Sequence, residues 1–131
     1  MIVDIGTAVT VDLLTSRGFE GGTIFPGARA ILDSLHDKAA ALPDVDYPLK
    51  RCEKAAIPGR STSEAMASGM YWGMAGALEK LVGISVRASG SRPDIYLTGG
   101  NADGFKRNLE FPFIHEPDLV FKGLAGIFGN R

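Results

Sequence analysis

The chain has 131 residues, of which 45% are apolar and 22% charged, and its formal net charge is −1. This length and composition exclude a disordered chain and predict one globular domain with a buried core. The near-neutral charge argues against direct binding to nucleic acid or to an acidic membrane surface. Cys52 is the single cysteine, so an internal disulfide is excluded and a cytoplasmic location is expected. We expect no membrane span, because no apolar run is long enough, and no signal peptide, because the N-terminus has no basic region followed by an apolar stretch.

The first part of the chain predicts a small antiparallel meander followed by a helix. Apolar residues recur at helical spacing from Ala28 to Ala39, and Pro43 is expected to end this helix. Residues 43–60 carry three prolines and weak periodicity, which predicts an extended excursion with little regular structure. The three strands of the meander are predicted at residues 2–6, 9–15 and 19–25.

The second part of the chain predicts a long helix over residues 61–83, capped by Ser61 or Thr62. One face of this helix is lined with small residues that would let another helix approach closely, namely Ala65, Gly69, Gly73, Gly76 and Ala77. A buried strand follows at residues 95–97, then a short helix with Asn101 as its cap, a short strand within "FPFIHEPDLV" and a last helix within "DLVFKGLAGIF". This order predicts an α/β fold with a mixed sheet.

The stretch Asp4-Ile5-Gly6-Thr7 is the first candidate site. An Asp at a strand end can hold a cation, Gly6 lets backbone approach an anion, and the Thr7 hydroxyl can bind phosphate. The alternative is an ordinary turn in which Asp4 and Thr7 satisfy backbone groups. Asp12 in the second strand would serve the same site if its side chain faced the same way, and would otherwise be a solvated strand residue.

Three further segments carry candidate site residues. Gly21-Gly22 and Pro26-Gly27 either shape a floor beside the first turn or form a bulge and a turn. Thr62 starts a helix, whose free N–H groups can bind polar ligands, although an ordinary cap is the simpler interpretation. Thr98-Gly99-Gly100 ends a buried strand before a helix, the position where open α/β sheets bind ligands.

Taken together, these segments carry a family resemblance across nearly the whole chain. The stretches "DIGTAVTVD", "GGTIFPG", "ALPDV", "GRSTSEAMASG", "LTGG" and "PDLVFKGL" occur in this order. The series resembles the C-terminal half of type III pantothenate kinases, in the acetate kinase, sugar kinase, Hsp70 and actin superfamily. The resemblance implies a ribonuclease H-like lobe with helices on both faces of the sheet. It also implies transfer of the ATP γ-phosphate to pantothenate, the first step of coenzyme A synthesis, with Mg²⁺ and a monovalent cation, potassium or ammonium.

The resemblance also implies roles for particular residues. Asp4 matches the monovalent cation ligand, and Thr7 matches an ATP-contacting threonine beside Gly6. Thr62 matches a pantothenate-contacting threonine, while Gly99 and Gly100 match the loop that borders the adenosine. Because the family usually dimerises through this half, the small-residue face of helix 61–83 is the expected homodimer contact.

One departure from the family pattern changes the functional expectation. The family's DxGN phosphate loop and its GxDR segment, which carries the proposed general base, do not precede Asp4 in this sequence. We therefore expect residues 1–131 to form a single lobe, with the general base outside it and little or no turnover by the lobe alone. A separate chain is one possible source of the other lobe. The alternative is a non-catalytic binding or dimerisation module that acts with a partner chain.

Overall fold

A computed structural model describes residues 1–47 and 55–129, so Cys52 lies outside the described residues. No helix in the described ranges is long and apolar enough to cross a membrane. A short 3-10 turn covers Lys106–Asn108. The helices are α1 (Ala28–Lys38), α2 (Thr62–Ser89), α3 (Ala102–Phe105) and α4 (Leu119–Phe128). The strands are β1 (Ile2–Ile5), β2 (Ala8–Thr15), β3 (Gly18–Pro26), β4 (Tyr96–Thr98) and β5 (Ile114–His115).

The strands form one mixed sheet in the order β3-β2-β1-β4-β5. The antiparallel pairs β1–β2 and β2–β3 make the meander that the sequence predicts. The strands β4 and β5 continue the sheet on the other side of β1, and both are parallel to it. The register of β2 and β3 shifts between Leu13 and Leu14, beside Gly21 with its φ of 115°, which is consistent with a bulge.

The core lies between one face of the sheet and the helices α1 and α2. Strand alternation places apolar side chains of β1 and β2 on this face, where they are almost completely buried: Val3, Ile5, Val9 and Val11. Helix α1 adds Ala28 and Leu32 to the same cluster, and α2 adds a longer row that includes Tyr71, Met74 and Leu78. The ring of Tyr71 is fully buried and stacks on Phe105 at 4.9 Å between centroids.

The opposite face of the sheet carries a row of polar residues: Asp4, Thr10, Asp12 and Thr98. Helix α4, which follows β5, has no buried residue. The expectation of helices on both faces is therefore confirmed for one face only. No helix within the described residues covers the polar face, so it is open around Asp4 and Asp12, which are half-buried.

Helix α2 begins as predicted but extends beyond residue 83. The Ser61 hydroxyl oxygen accepts a hydrogen bond from the Glu64 N–H at 3.2 Å, which is an ordinary N-cap. The helix continues to Ser89 and ends at Gly90, whose φ of 66° gives the left-handed C-cap. Helix α1 ends at Lys38, a few residues before Pro43. Residues 43–47 and 55–60 contain neither strand nor helix, as the prolines predict, and the rest of that excursion lies outside the described ranges.

Candidate functional site

The carboxyl ends of β1 and β4 meet at the centre of the sheet. These two strands are parallel, and Asp4 is paired with Thr98 across them. The turn after β1 contains Gly6 and Thr7, and the turn after β4 contains Gly99 and Gly100. Ligands of open α/β sheets bind beyond the carboxyl ends of adjacent strands, so the predicted residues lie where such a site forms.

Gly99 brings the two turns into direct contact. Its φ is 99°, a conformation that disfavours any side chain with a Cβ. A Cβ at this position would lie 2.5 Å from both the nitrogen and the oxygen of Ile5, and closer still to Oδ1 of Asp4. The β4 turn therefore packs against Asp4 at a distance that only glycine permits.

Asn101 connects the same two turns through hydrogen bonds, a role that the sequence did not predict. Its backbone N–H donates to the Ile5 carbonyl at 2.9 Å, and its side-chain amide donates to the Gly6 carbonyl at 3.3 Å. Asn101 is the N-cap residue of α3, as predicted, but its side chain makes no cap hydrogen bond to that helix. The side-chain amide instead donates its hydrogen bond to a carbonyl of the turn after β1, 95 positions away in the sequence.

The start of α1 closes another side of the site. The Gly27 N–H donates to the Thr7 carbonyl at 3.0 Å. A Cβ on Gly27 would lie 2.6 Å from the Thr7 oxygen and closer still to the Gly6 oxygen, so this position also requires glycine. The interpretation of Pro26-Gly27 as a floor beside the first turn agrees with this contact. Gly27 is the N-cap of α1 and supplies no side-chain cap, which leaves first-turn N–H groups for a ligand.

Asp12 lies on the same face of the sheet as Asp4. Asp12 is opposite Ile2 in the register, and Asp4 is opposite Thr10. The Thr10 hydroxyl donates to Oδ2 of Asp12 at 2.8 Å, which holds the carboxylate over the strands. Gly22 leaves the room for it, because a Cβ there would clash with Oδ1 of Asp12 and lie 2.8 Å from the Val11 oxygen. The Asp12 side chain therefore faces the same side of the sheet as Asp4, which was one of the two alternatives that the sequence left open.

The surroundings of Asp4 disfavour its ionised carboxylate. Burial, and then the nearby charge of Asp12, raise the pKa of the Asp4 carboxyl above its ordinary value. Within residues 1–47 and 55–129, no Lys, Arg or His nitrogen forms an ion pair with Asp4. The same ranges contain no group of three or more His, Cys, Asp or Glu side chains that could hold a metal. The Asp4 carboxylate and the Ile5 carbonyl, which both lie against Gly99, are oxygen atoms of the kind that hard cations bind.

Thr62 lies apart from this cluster in the pattern of contacts. It is exposed in the first turn of α2, and that turn is bonded to the segment just before it. The Arg60 N–H donates to Oε2 of Glu64 at 2.7 Å, and Gly59 packs so closely on Ala65 that a Cβ would lie 2.7 Å from the Ala65 Cα. The structure thus brings Asp4, Gly6, Thr7 and Gly99 together, leaves Gly100 exposed beside them, and places Thr62 on a separate helix start.

A family model described as type III pantothenate kinase matches residues 1–83. The chain belongs to the type III pantothenate kinase family. A type III pantothenate kinase of Alkalilimnicola ehrlichii is 40% identical over 126 residues, which are 95% of this chain and 49% of that protein. One of Persephonella marina is 33% identical over 98% of this chain and 49% of its own length.

These relatives confirm the resemblance to type III pantothenate kinases, and their lengths show that it extends over only part of those proteins. The chain spans about half the length of the curated type III pantothenate kinases that it matches, and corresponds to their C-terminal half. A solved structure from Campylobacter jejuni, assigned to the Baf family of transcriptional activators, covers 98% of this chain with a TM-score of 0.60. The chain covers 56% of that protein at 22% identity, so this likeness shows a shared fold.

Proposed function

We propose that this chain is one lobe of an ATP-dependent pantothenate kinase that transfers the γ-phosphoryl group of ATP to pantothenate. The observation that carries the proposal is the contact of Asp4, Gly6 and Gly99 at the ends of two parallel strands. That contact occurs in a chain matched over 95% of its length by a type III pantothenate kinase. The strand order β3-β2-β1-β4-β5 with its meander supports a ribonuclease H-like lobe.

Asp4 is proposed as the ligand of a monovalent cation, potassium or ammonium. Its carboxylate is partly desolvated and lies near a second carboxylate, Asp12. Both effects disfavour the negative charge of Asp4 when no cation is bound. A cation here would offset both effects and lower the local negative potential where phosphates approach. The Mg²⁺ that accompanies ATP would neutralise charge on the phosphates themselves.

The ATP site is proposed along the turns after β1 and β4. Thr7 is exposed, and its turn lies against the start of α1, so its hydroxyl and the nearby N–H groups can bind phosphate oxygens. Gly99 and Gly100 would border the adenosine. Gly100 is exposed, and a Cβ there would meet nothing within 4 Å, which leaves space for a flat group over the backbone.

Thr62 is proposed to orient pantothenate through its exposed hydroxyl at the start of α2. The proton of the acceptor hydroxyl would go to a base in the other half of the family's length, where the resemblance places the GxDR segment. We therefore propose that these 131 residues by themselves do not complete the reaction. The other lobe would come from the same polypeptide or from a separate chain.

The exposed face of α2 supports a homodimer, which is also the basis of the alternative function. Gly69, Gly73 and Gly76 are exposed, and a Cβ on any of them would meet nothing within 4 Å. A second copy of the helix could therefore approach closely along this row. If the lobe dimerises but ATP and pantothenate never bind to it, the chain is a non-catalytic assembly module instead.

Kinetics on a restored two-lobe protein test these residue roles. We call "the fused chain" a protein in which the N-terminal half of the Alkalilimnicola ehrlichii relative precedes Met1. Thr7→Val should raise KM for ATP about tenfold, the effect of one lost hydrogen bond of roughly 1.4 kcal/mol, and should leave KM for pantothenate unchanged. Thr62→Val should do the reverse. Thr15→Val is the matched control, because Thr15 bonds to Glu20 at the far end of β2. Equal effects of all three variants would contradict the proposal.

A further inference from the structure

Helix α4 carries an apolar surface that nothing in the described chain covers. Its residues are all outside the core, and no residue of the helix is buried. Five large side chains on it are between 46% and 71% exposed: Val120, Phe121, Leu124, Ile127 and Phe128. Single exposed apolar residues are ordinary on protein surfaces, but a contiguous group of this size marks an interaction surface.

The five side chains form one stripe. At 100° per residue, Val120, Phe121, Leu124, Ile127 and Phe128 fall within about a third of the helix circumference. A stripe of this width is the pattern of a helix that packs its apolar face against a core. Lys122, which forms an ion pair with Glu116, projects from the opposite side. The polar side of α4 is therefore anchored to its own lobe, while the apolar side faces away from it.

The lobe's own sheet is a poor partner for this stripe. The face of the sheet that α1 and α2 leave open carries Asp4, Thr10, Asp12 and Thr98. Covering it with Phe121 and Phe128 would bury two carboxylates that lack an ion pair within the described ranges, which is costly. It would also close the face on which the candidate cation site lies.

A second copy of α4 is also a poor partner. The helix has ten residues and is therefore about 15 Å long. Two helices of this length cannot by themselves bury the roughly 1,200 Å² that a stable interface needs. The relatives, in contrast, contain about as many residues again as this chain matches, and a lobe of that size offers enough surface.

We propose that the apolar stripe of α4 is a docking surface for the half of the family's length that these 131 residues do not span. The stripe would bind an apolar surface of that half and hold the two lobes together from the last helix of this one. This assignment concerns lobe assembly and does not depend on which substrates the site binds.

Hydrogen exchange of the α4 amides tests the proposal without any substrate. The 131-residue chain is compared with the fused chain, with β1 and β2 amides as the internal report of a folded lobe. We expect α4 amides to exchange at least tenfold more slowly in the fused chain. Phe121→Ser should remove that slowing, and Phe19→Ser should preserve it, since Phe19 is a β3 residue with a comparable 68% exposure.

Three results would overturn the docking surface. The first is equal exchange of α4 in both proteins. The second is full protection of α4 in the monomeric 131-residue chain, which would mean that the helix packs on its own sheet. The third is protection that rises with protein concentration and disappears in Phe121→Ser, which would identify a second copy as the partner.

Discussion

Asp4 and Gly99 lie at the ends of neighbouring parallel strands, so close that a Cβ on Gly99 would clash with Oδ1 of Asp4. The backbone of Gly99 therefore forms one wall of the space around the Asp4 carboxylate. A side chain at Gly99 would therefore displace either the Asp4 carboxylate or the turn after β4.

Gly99→Ala should destabilise the lobe by about 2–4 kcal/mol, because it adds a left-handed-conformation penalty to an overpacked contact. Gly100→Ala is the matched control, since its Cβ would meet nothing within 4 Å and its φ is not positive. It should change the free energy of unfolding by no more than about 0.5 kcal/mol. Urea denaturation of the two variants measures the difference. Equal stabilities would mean that the β4 turn does not pack on Asp4 as described.

Asp4→Asn should stabilise the lobe at neutral pH in a buffer without potassium or ammonium. The pKa of Asp4 is raised in the folded state, first by burial and then by Asp12, so the ionised carboxylate is disfavoured by folding. This penalty is fully present above the folded-state pKa and is absent below the unfolded-state pKa of about 3.8. The gain from Asn should therefore shrink as the pH falls towards that value.

Urea unfolding at pH 7 and near pH 4 measures that gain. Asp46→Asn, which removes an exposed carboxylate from the segment after α1, is the control and should show a much smaller change between the two conditions. A stabilisation by Asp4→Asn that persists unchanged near pH 4 would show that its cause is not the charge of Asp4.

Potassium should raise the melting temperature of the wild-type lobe more than choline chloride at the same ionic strength. A ligand that binds only the folded state stabilises it by about 1.4 kcal/mol when its concentration is roughly ten times Kd. Asp4→Asn should remove the difference between the two salts, because it removes the negative charge that holds the cation. A potassium effect of equal size in Asp4→Asn would place the cation elsewhere.

Gly73→Leu should convert a dimeric lobe into a monomer, because a large side chain prevents close approach along the exposed glycine row of α2. Light scattering after size-exclusion chromatography measures the mass. Gly73→Ala is the control: it keeps the row small and favours the helix by about 1 kcal/mol, so the dimer should persist. If Gly73→Leu remains dimeric, the contact lies on another surface.

Much of this architecture could be predicted because the relevant signals are local. Strand alternation in β1 and β2 gives the core face, and Ser61 with Glu64 gives the start of α2. The general rule for strand ends made Asp4 and Gly99 separate candidates, and the parallel pairing of β1 with β4 brings them together. The role of Asn101 could not be predicted, since its partner, Gly6, is distant in sequence and nothing local distinguishes the bond from a helix cap.

The exposure of α4 could not be predicted from its sequence pattern either. An apolar stripe such as that of Val120 and Leu124 predicts burial but does not say against what. The expectation of helices on both sheet faces came from the family resemblance and not from this stripe. In the described chain the stripe is open.

Pantothenate-dependent ADP release tests the central claim most directly. The purified 131-residue chain and the fused chain are each given ATP, Mg²⁺, potassium and pantothenate, with a control lacking pantothenate. We predict pantothenate-dependent ADP release by the fused chain and none by the 131-residue chain, although both are folded. Turnover by the 131-residue chain alone would contradict the claim that its catalytic base lies elsewhere. Absence of turnover from a folded fused chain would contradict its assignment as a pantothenate kinase lobe.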